Sequence, residues 1–156
     1  MTRAVVLDTG VLGLVVHPKQ RPEIAAWVEL LEKAGVAICL PEIADYELRR
    51  ELLRMRSNGA VQKLDQLRGP MTYLPISTAA MRLAAELWAE LRQGGQPTAD
   101  RHALDVDVIL AAQARLAHRD LGAPEADTSA VVATTNVGHL GRLVAAQEWT
   151  QIAWAP

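Results

Sequence analysis

Several residue types that mark particular protein classes are scarce or absent in this chain. Phe is absent, and four Trp and two Tyr are the only aromatic residues among 156. A platform of exposed aromatic rings for stacking bases is therefore not expected. The single cysteine, Cys39, excludes an internal disulfide framework. Its apolar neighbours in VAICL predict a buried thiol.

An excess of charge of one sign is also lacking. The chain has 16 Lys and Arg against 18 Asp and Glu, a net charge of -2. No overall basic field draws it to nucleic acid, which disfavours tight non-specific DNA binding. An enzyme that meets phosphate through metal ions remains compatible with this balance.

Long hydrophobic runs are missing as well. No apolar run approaches the roughly 20 residues that a membrane span needs. The start MTRAVVLDTG reaches an aspartate too early for a secretory signal. We therefore expect a cytoplasmic protein without a membrane partner. The absence of repeats and linkers predicts a single domain over residues 1–156.

Short apolar runs alternate with stretches of helical periodicity. Strands are predicted at 4–7, 36–40, 71–75 and 130–134, with WTQIAWA as a last edge strand. Helices are predicted at 22–33, 41–55, 60–67, 78–92 and 103–117, with a short one in NVGHLGRLV. This alternation requires crossover connections. It predicts an α/β fold, a three-layer α/β/α sandwich with a mainly parallel central sheet.

The first strand ends in VVLDTGVLG, and the Asp-Thr-Gly in it is compatible with the active-site motifs of two unrelated enzyme classes. One is the aspartic protease and the other is the metal-dependent phosphodiesterase. An α/β fold disfavours the protease, which is mostly β. A haloacid-dehalogenase-like phosphatase needs a second Asp at the position of Gly10. Ligands of parallel sheets bind beyond the carboxyl ends of the strands, so Asp8 is a site candidate, with helix capping as the alternative.

Three further acids compete for a place near Asp8. Glu47 follows the second strand in PEIADYELRRE, although ion pairing with Arg50 would also explain it. Asp105 and Asp107 lie in ALDVDVILAAQARLA, which is apolar almost all round and so predicts a buried helix. They are about 200° apart on a helical wheel and cannot both face one site. We predict Asp107 as a ligand and Asp105 as a supporting or capping residue.

Polar residues also follow the last inner strand, in ATTNVGHL. Thr134, Thr135, Asn136 and His139 are candidates there. Helix capping by Thr135 or Asn136, and a structural histidine, are the alternatives. No His and Cys spacing typical of zinc is present.

Three carboxylates beyond neighbouring strand ends would require a counter-ion. Asp8, Glu47 and Asp107 cannot all stay ionised at close range without one. Carboxylate oxygens suit Mg²⁺ or Mn²⁺. Such an ion activates water and offsets charge on a phosphorane-like transition state. The pattern therefore indicates metal-dependent hydrolysis of phosphodiesters.

Taken in order, four segments resemble the PIN-domain family. They are VVLDTGVL, PEIADYELRREL, LDVDVILAAQARL and VVATTNVGHLGRLV, and the likeness runs from about Ala4 to Trp154. The resemblance implies an α/β/α fold with an Mg²⁺- or Mn²⁺-dependent ribonuclease site. It implies Asp8, Glu47 and Asp107 as the site acids, with Asn136 at a fourth position. Many small bacterial members look like VapC-type ribonuclease toxins, which pair with an antitoxin and dimerise.

Two positions depart from the family pattern. Gly10 stands where many members have Ser or Asn, and Asn136 stands where many have Asp. Both changes weaken the expected support for a metal. A PIN-like module that binds RNA or protein without cutting is therefore the alternative, and a phosphatase of small phosphoesters is a third hypothesis. Basic residues that would contact an RNA backbone, or simply be solvated, are Arg49, Arg50, Arg54, Arg101 and Arg115.

Overall fold

The centre of the protein is a five-stranded sheet. A computed structural model describes residues 1–95, 101–138 and 140–153. Every strand pairing among these residues is parallel, in the order β3-β2-β1-β4-β5. The strands are β1 Thr2–Leu7, β2 Ala37–Pro41, β3 Thr72–Leu74, β4 Thr128–Thr134 and β5 Ala146–Glu148. The predicted α/β fold with a parallel sheet is confirmed.

Helices connect the strands and cover the sheet. They are α1 Thr9–Val16, α2 Pro22–Lys33, α3 Glu42–Arg54, α4 Asn58–Gln66, α5 Thr78–Gln93, α6 Arg101–Arg115 and α7 Ala117–Asp120. The helix predicted at 22–33 has the predicted bounds, and the other long helices lie within a few residues of theirs. In the described part of the chain, none of the helices has the length and apolar character to cross a membrane.

The central strands are apolar on both faces. Ala4 to Leu7 of β1 are fully buried, as is typical of a parallel strand covered by helices on both sides. β1 pairs with β4 from Thr2 opposite Thr128 to Leu7 opposite Ala133. The two strands therefore end side by side, and the residues that follow them share one edge of the sheet.

Two elements differ from the sequence prediction. α1 was not predicted, because Gly10, Gly13 and its β-branched valines have low helix propensity. The predicted edge strand WTQIAWA is wrong. The last strand precedes it, and Trp149–Gln151 forms a 3-10 turn. There Trp149 packs edge-on against Trp27, with ring centroids 5.4 Å apart.

The segment after β4 also differs from the prediction. Instead of a short α-helix, the described residues of NVGHLGRLV contain one 3-10 turn, Leu140–Arg142. This leaves the chain directly after β4 as a bend rather than a helix. Its side chains can therefore lie beside the end of β1.

A buried glutamine of α6 hydrogen-bonds both α3 and β3 near the carboxyl edge of the sheet. Gln113 of α6 is 2% exposed. Its side-chain oxygen accepts the Ile43 N–H of α3 at 3.2 Å. Its amide nitrogen donates to the Leu74 carbonyl of β3 at 2.5 Å. Buried backbone groups require such partners, so α6 is fixed against the start of α3.

Candidate metal centre

Asp8 stands between β1 and α1. Its backbone is extended, and its Oδ1 accepts the Val11 N–H at 2.8 Å. It is therefore the N-cap of α1, which satisfies one of the unpaired amides of the first turn. The capping interpretation is therefore correct, and the same residue also lines a cleft.

The cleft gathers acids from three separate elements. Asp8 follows β1, Glu47 lies one turn into α3, and Asp107 lies in α6, and all three line a cleft of about 360 Å³. Polar groups beyond β4 complete one wall, namely Thr134, Thr135 and Asn136. The remaining lining residues are Thr9, Gly10, Val106, Leu110, Gly138 and Leu140. The sequence-predicted acids Asp8, Glu47 and Asp107 thus meet in one place.

The electrostatics of the cleft favour a bound cation. Burial raises the pKa of the Asp8 carboxyl, and the negative charge of Glu47 adds to that rise. Hydrogen bonds from the Thr134 side chain and from the backbone of Val11 and Gly10 oppose it. A positive ion would remove the cost of ionising Asp8.

The donor set fits a hard divalent ion that keeps much of its water. Within residues 1–95, 101–138 and 140–153, no three His, Cys, Asp or Glu side chains are arranged as a ready-made cage for a metal. Mg²⁺ usually binds through one or two carboxylates and retains several waters. Asp8, Glu47 and Asp107 offer carboxylate oxygens, the ligands that Mg²⁺ and Mn²⁺ prefer, so the donor set of the cleft fits such an ion in chemistry and charge.

Thr134 supports the site from the end of β4. It is 1% exposed and its side chain hydrogen-bonds Asp8. Its hydroxyl oxygen also accepts the Asn136 N–H at 3.0 Å, which shapes the bend after the strand. The sequence prediction included Thr134 only as one of several polar candidates after the last inner strand. The signal for its role was a hydroxyl at the last position of a buried apolar strand.

Asp105 lies away from the cleft. It lines a separate groove between α5 and α6 together with Met81, Trp88 and Ile109. Its interpretation as a helix cap is wrong, because α6 begins at Arg101 and Asp105 is in the second turn. Of the other candidates, His139 and the side chain of Arg101 lie outside the described residues.

Arg49 is bound within the protein. Its Nε contacts Asp45 Oδ1 at 2.8 Å and its Nη2 contacts Asp65 Oδ1 at 2.8 Å. Asp45 is 7% exposed and also accepts the Tyr73 hydroxyl at 2.9 Å. The Arg49 guanidinium therefore neutralises a buried carboxylate. This contact accounts for the place of Arg49 in the protein without any contact to RNA.

The other arginines differ in how close they lie to the cleft. Arg50 is exposed, and its Nη2 lies 3.8 Å from Glu47 Oε2 at the rim. Arg54 pairs with Glu51 at 2.5 Å. Arg115 donates from Nε to the Leu143 carbonyl at 2.8 Å. Among the described side chains of the predicted arginines, Arg50 is thus the one that contacts a residue of the cleft.

Comparison with known proteins gives a match to one family. Residues 5–121 match the family described as PIN domain. No curated protein matches the chain. The match covers Asp8, Glu47 and Asp107 and ends before β4.

Solved structures share the fold at low sequence identity. DNA-bound VapBC from Salmonella typhimurium has a TM-score of 0.69 and 19% identity, covering 96% of this chain and 99% of that chain. VapBC2 from Rickettsia felis, bound to a promoter DNA fragment, has a TM-score of 0.69 and 19% identity, covering 92% and 97%. VapBC-1 from nontypeable Haemophilus influenzae has a TM-score of 0.66 and 18% identity, covering 95% and 99%.

Proposed function

The chain belongs to the PIN domain family, and on that premise we propose that it is a metal-dependent endoribonuclease. Family membership supports a nuclease in general. The finer assignment, hydrolysis of RNA with Mg²⁺ or Mn²⁺, rests on one observation. Asp8, Glu47 and Asp107 come from three elements and line one cleft at the carboxyl edge of the sheet.

The three acids have different roles in the proposed site. Asp8 and Asp107 hold the ion, and Glu47 adds a third carboxylate from α3. When bound, the ion lowers the pKa of water and offsets the charge of the transition state. Thr134 holds the Asp8 carboxylate through its hydrogen bond. Asn136 is uncharged and adds an amide in place of a fourth acid.

RNA is the proposed substrate because proteins of the PIN-domain family usually act on single-stranded or structured RNA. A cleft lined by Asp8, Glu47 and Asp107 repels a phosphate backbone unless a bound cation offsets its charge. Contact with the phosphate backbone then depends on the ion and on rim residues such as Arg50. If Arg50 contacts phosphate, binding weakens as salt rises. A flat salt response would exclude that contact.

The direct test is cleavage of labelled single-stranded RNA with Mn²⁺, with Mg²⁺ and with EDTA. We expect cutting with either ion and none with EDTA. Asp8→Asn should lower the rate by at least about 100-fold, since metal stabilisation of the transition state supplies several kcal/mol. Cutting that persists in EDTA would rule out the metal-dependent mechanism.

A second candidate function is a PIN domain that binds RNA or a protein without cutting. The observation in its favour is that the carboxylates of the described residues do not form a ready-made cage. Under this alternative, purified protein stays inert with both ions, and Asp8→Asn binds RNA as tightly as the wild type. Hydrolysis of a generic aryl phosphate would instead indicate a phosphatase.

A protein partner is also proposed. The structural neighbours are VapBC complexes, and VapC-type members pair with an antitoxin and dimerise. We therefore propose an antitoxin partner and a homodimer in the cytoplasm. The check is co-expression with any small adjacent open reading frame. A complex that suppresses RNA cleavage supports the proposal, and a neighbour that neither binds nor inhibits contradicts it.

The proposed domain spans residues 1–156. The family match ends at residue 121, yet β4 pairs along the whole of β1. A chain cut after 121 would leave this central strand open on one side. We expect such a fragment to be unfolded by circular dichroism, and cooperative folding of the fragment would contradict the single-domain proposal.

A further inference from the structure

Gly10 has no conformational reason to be glycine. It is the second residue of α1, and it is not among the described glycines with positive φ. Glycine within a helix costs about 1 kcal/mol relative to alanine. Something other than backbone geometry must therefore account for this residue.

A neighbouring hydroxyl occupies the space that a side chain would need. A Cβ atom added at Gly10 would lie 2.9 Å from Thr135 Oγ1, closer than real Cβ contacts, and 3.5 Å from Asp8 Oδ1. The Thr135 hydroxyl thus lies directly beside the position that the Cβ of a side chain at residue 10 would take. Both oxygens border the same small space.

Thr135 reaches this space because of how β4 ends. Thr134 is buried at the last position of the strand and hydrogen-bonds Asp8. The chain then bends, and the next residue, Thr135, is exposed and lines the cleft beside Gly10. Of two consecutive hydroxyls, that of Thr134 therefore bonds the Asp8 carboxylate, and that of Thr135 lies in the same cleft beside Gly10.

We propose that Thr135 is a positioning residue of the cation site, whose hydroxyl takes the place of a side chain at position 10 and hydrogen-bonds a water ligand of the ion held at Asp8. This inference rests on the proposed metal-dependent function. A hydroxyl can donate one hydrogen bond and accept two, and Mg²⁺ retains several waters when bound. Groups that hold the ligands of a metal typically change its affinity by 10- to 100-fold.

Metal binding by purified protein, measured by calorimetry with Mn²⁺, tests the proposal without relying on activity. Thr135→Val keeps the shape but removes the hydroxyl, and we expect about 10-fold weaker binding. Thr135→Ser keeps the hydroxyl and should bind within about twofold of the wild type. Thr78→Val, at an exposed threonine outside the cleft, is the matched control and should bind like the wild type.

A position swap makes the test more specific. Gly10→Ser alone should lower the melting temperature of metal-free protein, because its Cβ meets the Thr135 hydroxyl. In a Thr135→Ala background the same serine has room, and we expect it to recover most of the lost Mn²⁺ affinity. Since Thr135 is exposed, Thr135→Val and Thr135→Ala should melt within about 2 °C of the wild type, as is usual for substitutions at the surface.

The outcomes separate this inference from the function on which it rests. If the wild type binds Mn²⁺, Asp8→Asn does not, and Thr135→Val binds as well as the wild type, only the role of Thr135 is overturned. If the wild type itself binds no Mn²⁺, both proposals fail. If Gly10→Ser does not restore Mn²⁺ affinity in the Thr135→Ala background, the Thr135 hydroxyl does not take the place of a side chain at position 10.

Discussion

At the scale of single residues, Asp8 combines a structural task with a proposed chemical one. Its Oδ1 caps α1 through the Val11 N–H, while the carboxylate borders the cleft with Glu47 and Asp107. Capping needs only an oxygen acceptor, whereas attraction of a divalent ion depends mainly on the negative charge. Substitutions that remove the charge and keep the oxygen can therefore separate the two tasks.

The first prediction compares Asp8→Asn with Asp8→Ala in metal-free protein. Burial raises the pKa of Asp8, so its ionised form costs folding stability at neutral pH, and that cost disappears as the pH falls through the folded pKa. Asn caps helices about as well as Asp. Asp8→Asn should thus be at least as stable as the wild type at pH 7, and Asp8→Ala less stable than Asp8→Asn by about 1 kcal/mol.

Urea unfolding at pH 7 measures this difference. A large loss of stability in Asp8→Asn would mean that the charge itself holds α1 in place. Equal stability of the Asn and Ala variants would instead show that the cap contributes nothing.

A second residue-scale prediction separates two adjacent arginines. Arg49→Ala leaves the buried Asp45 with only the Tyr73 hydroxyl of its two side-chain partners. It should lower the free energy of unfolding by about 2 kcal/mol, the range for hydrogen bonds to charged groups. Arg50→Ala removes an exposed contact of 3.8 Å to Glu47 and should change stability by less than about 0.5 kcal/mol.

RNA binding should reverse the order of the two variants. Arg50→Ala is expected to weaken binding and flatten its salt dependence, and Arg49→Ala should bind normally wherever it is folded. Filter binding over a salt series, beside chemical denaturation, measures both. Weakened RNA binding by folded Arg49→Ala would instead indicate that Arg49 contacts the RNA.

At the scale of elements, α1 is stabilised by packing against the core rather than by the helix propensity of its residues. Its two glycines disfavour a helix, yet Val11, Leu12, Val15 and Val16 are buried. The glycines differ in their environment. A Cβ at Gly13 would meet only Leu48 Cδ1, at an ordinary 3.7 Å, whereas one at Gly10 would meet the Thr135 hydroxyl at 2.9 Å.

The third prediction follows from that contrast. Gly13→Ala should stabilise the protein by about 0.5–1 kcal/mol, because alanine favours the helix and has room. Gly10→Ala should be destabilising despite the same propensity gain. Thermal melts of the two variants decide it, and a stabilising Gly10→Ala would show that the space beside Thr135 is not restricted.

The elements that the sequence predicted are those with a strong local signal. α2 has Pro22 at its first position and regularly spaced Ile24, Trp27 and Leu31 on its buried face. β1 contains an unbroken apolar run over residues 4–7. α1 and the last strand lack such signals, since the first depends on packing and the second, Ala146–Glu148, is only three residues long.

At the scale of the whole molecule, the parallel sheet explains why acids far apart in sequence meet. Sequence reasoning placed Asp8 and Glu47 just beyond strand ends, and wheel geometry chose Asp107 over Asp105. The strand order β3-β2-β1-β4-β5 then puts the ends of β1, β2 and β4 side by side. That order depends on long-range pairing, which no local pattern contains.

The unpredicted parts of the site are non-local in the same sense. One partner of Arg49, Asp45, lies one turn away on the same helix, but the other, Asp65, belongs to α4. The approach of Thr135 to Gly10 joins residues 125 positions apart. Sequence alone gave the residue types, but only the packed chain shows which of them touch.

The most direct test of the central claim compares two aspartates of one helix. Asp107 lines the carboxylate cleft, and Asp105 lines the separate groove beside α5. In Mn²⁺-dependent RNA cleavage, Asp107→Asn should lower kcat/KM by at least about 100-fold. Asp105→Asn, the same chemical change two residues away, should stay within about twofold of the wild type, less than about 0.5 kcal/mol. Equal losses in both variants, or full activity in Asp107→Asn, would contradict a cation site built from Asp8, Glu47 and Asp107.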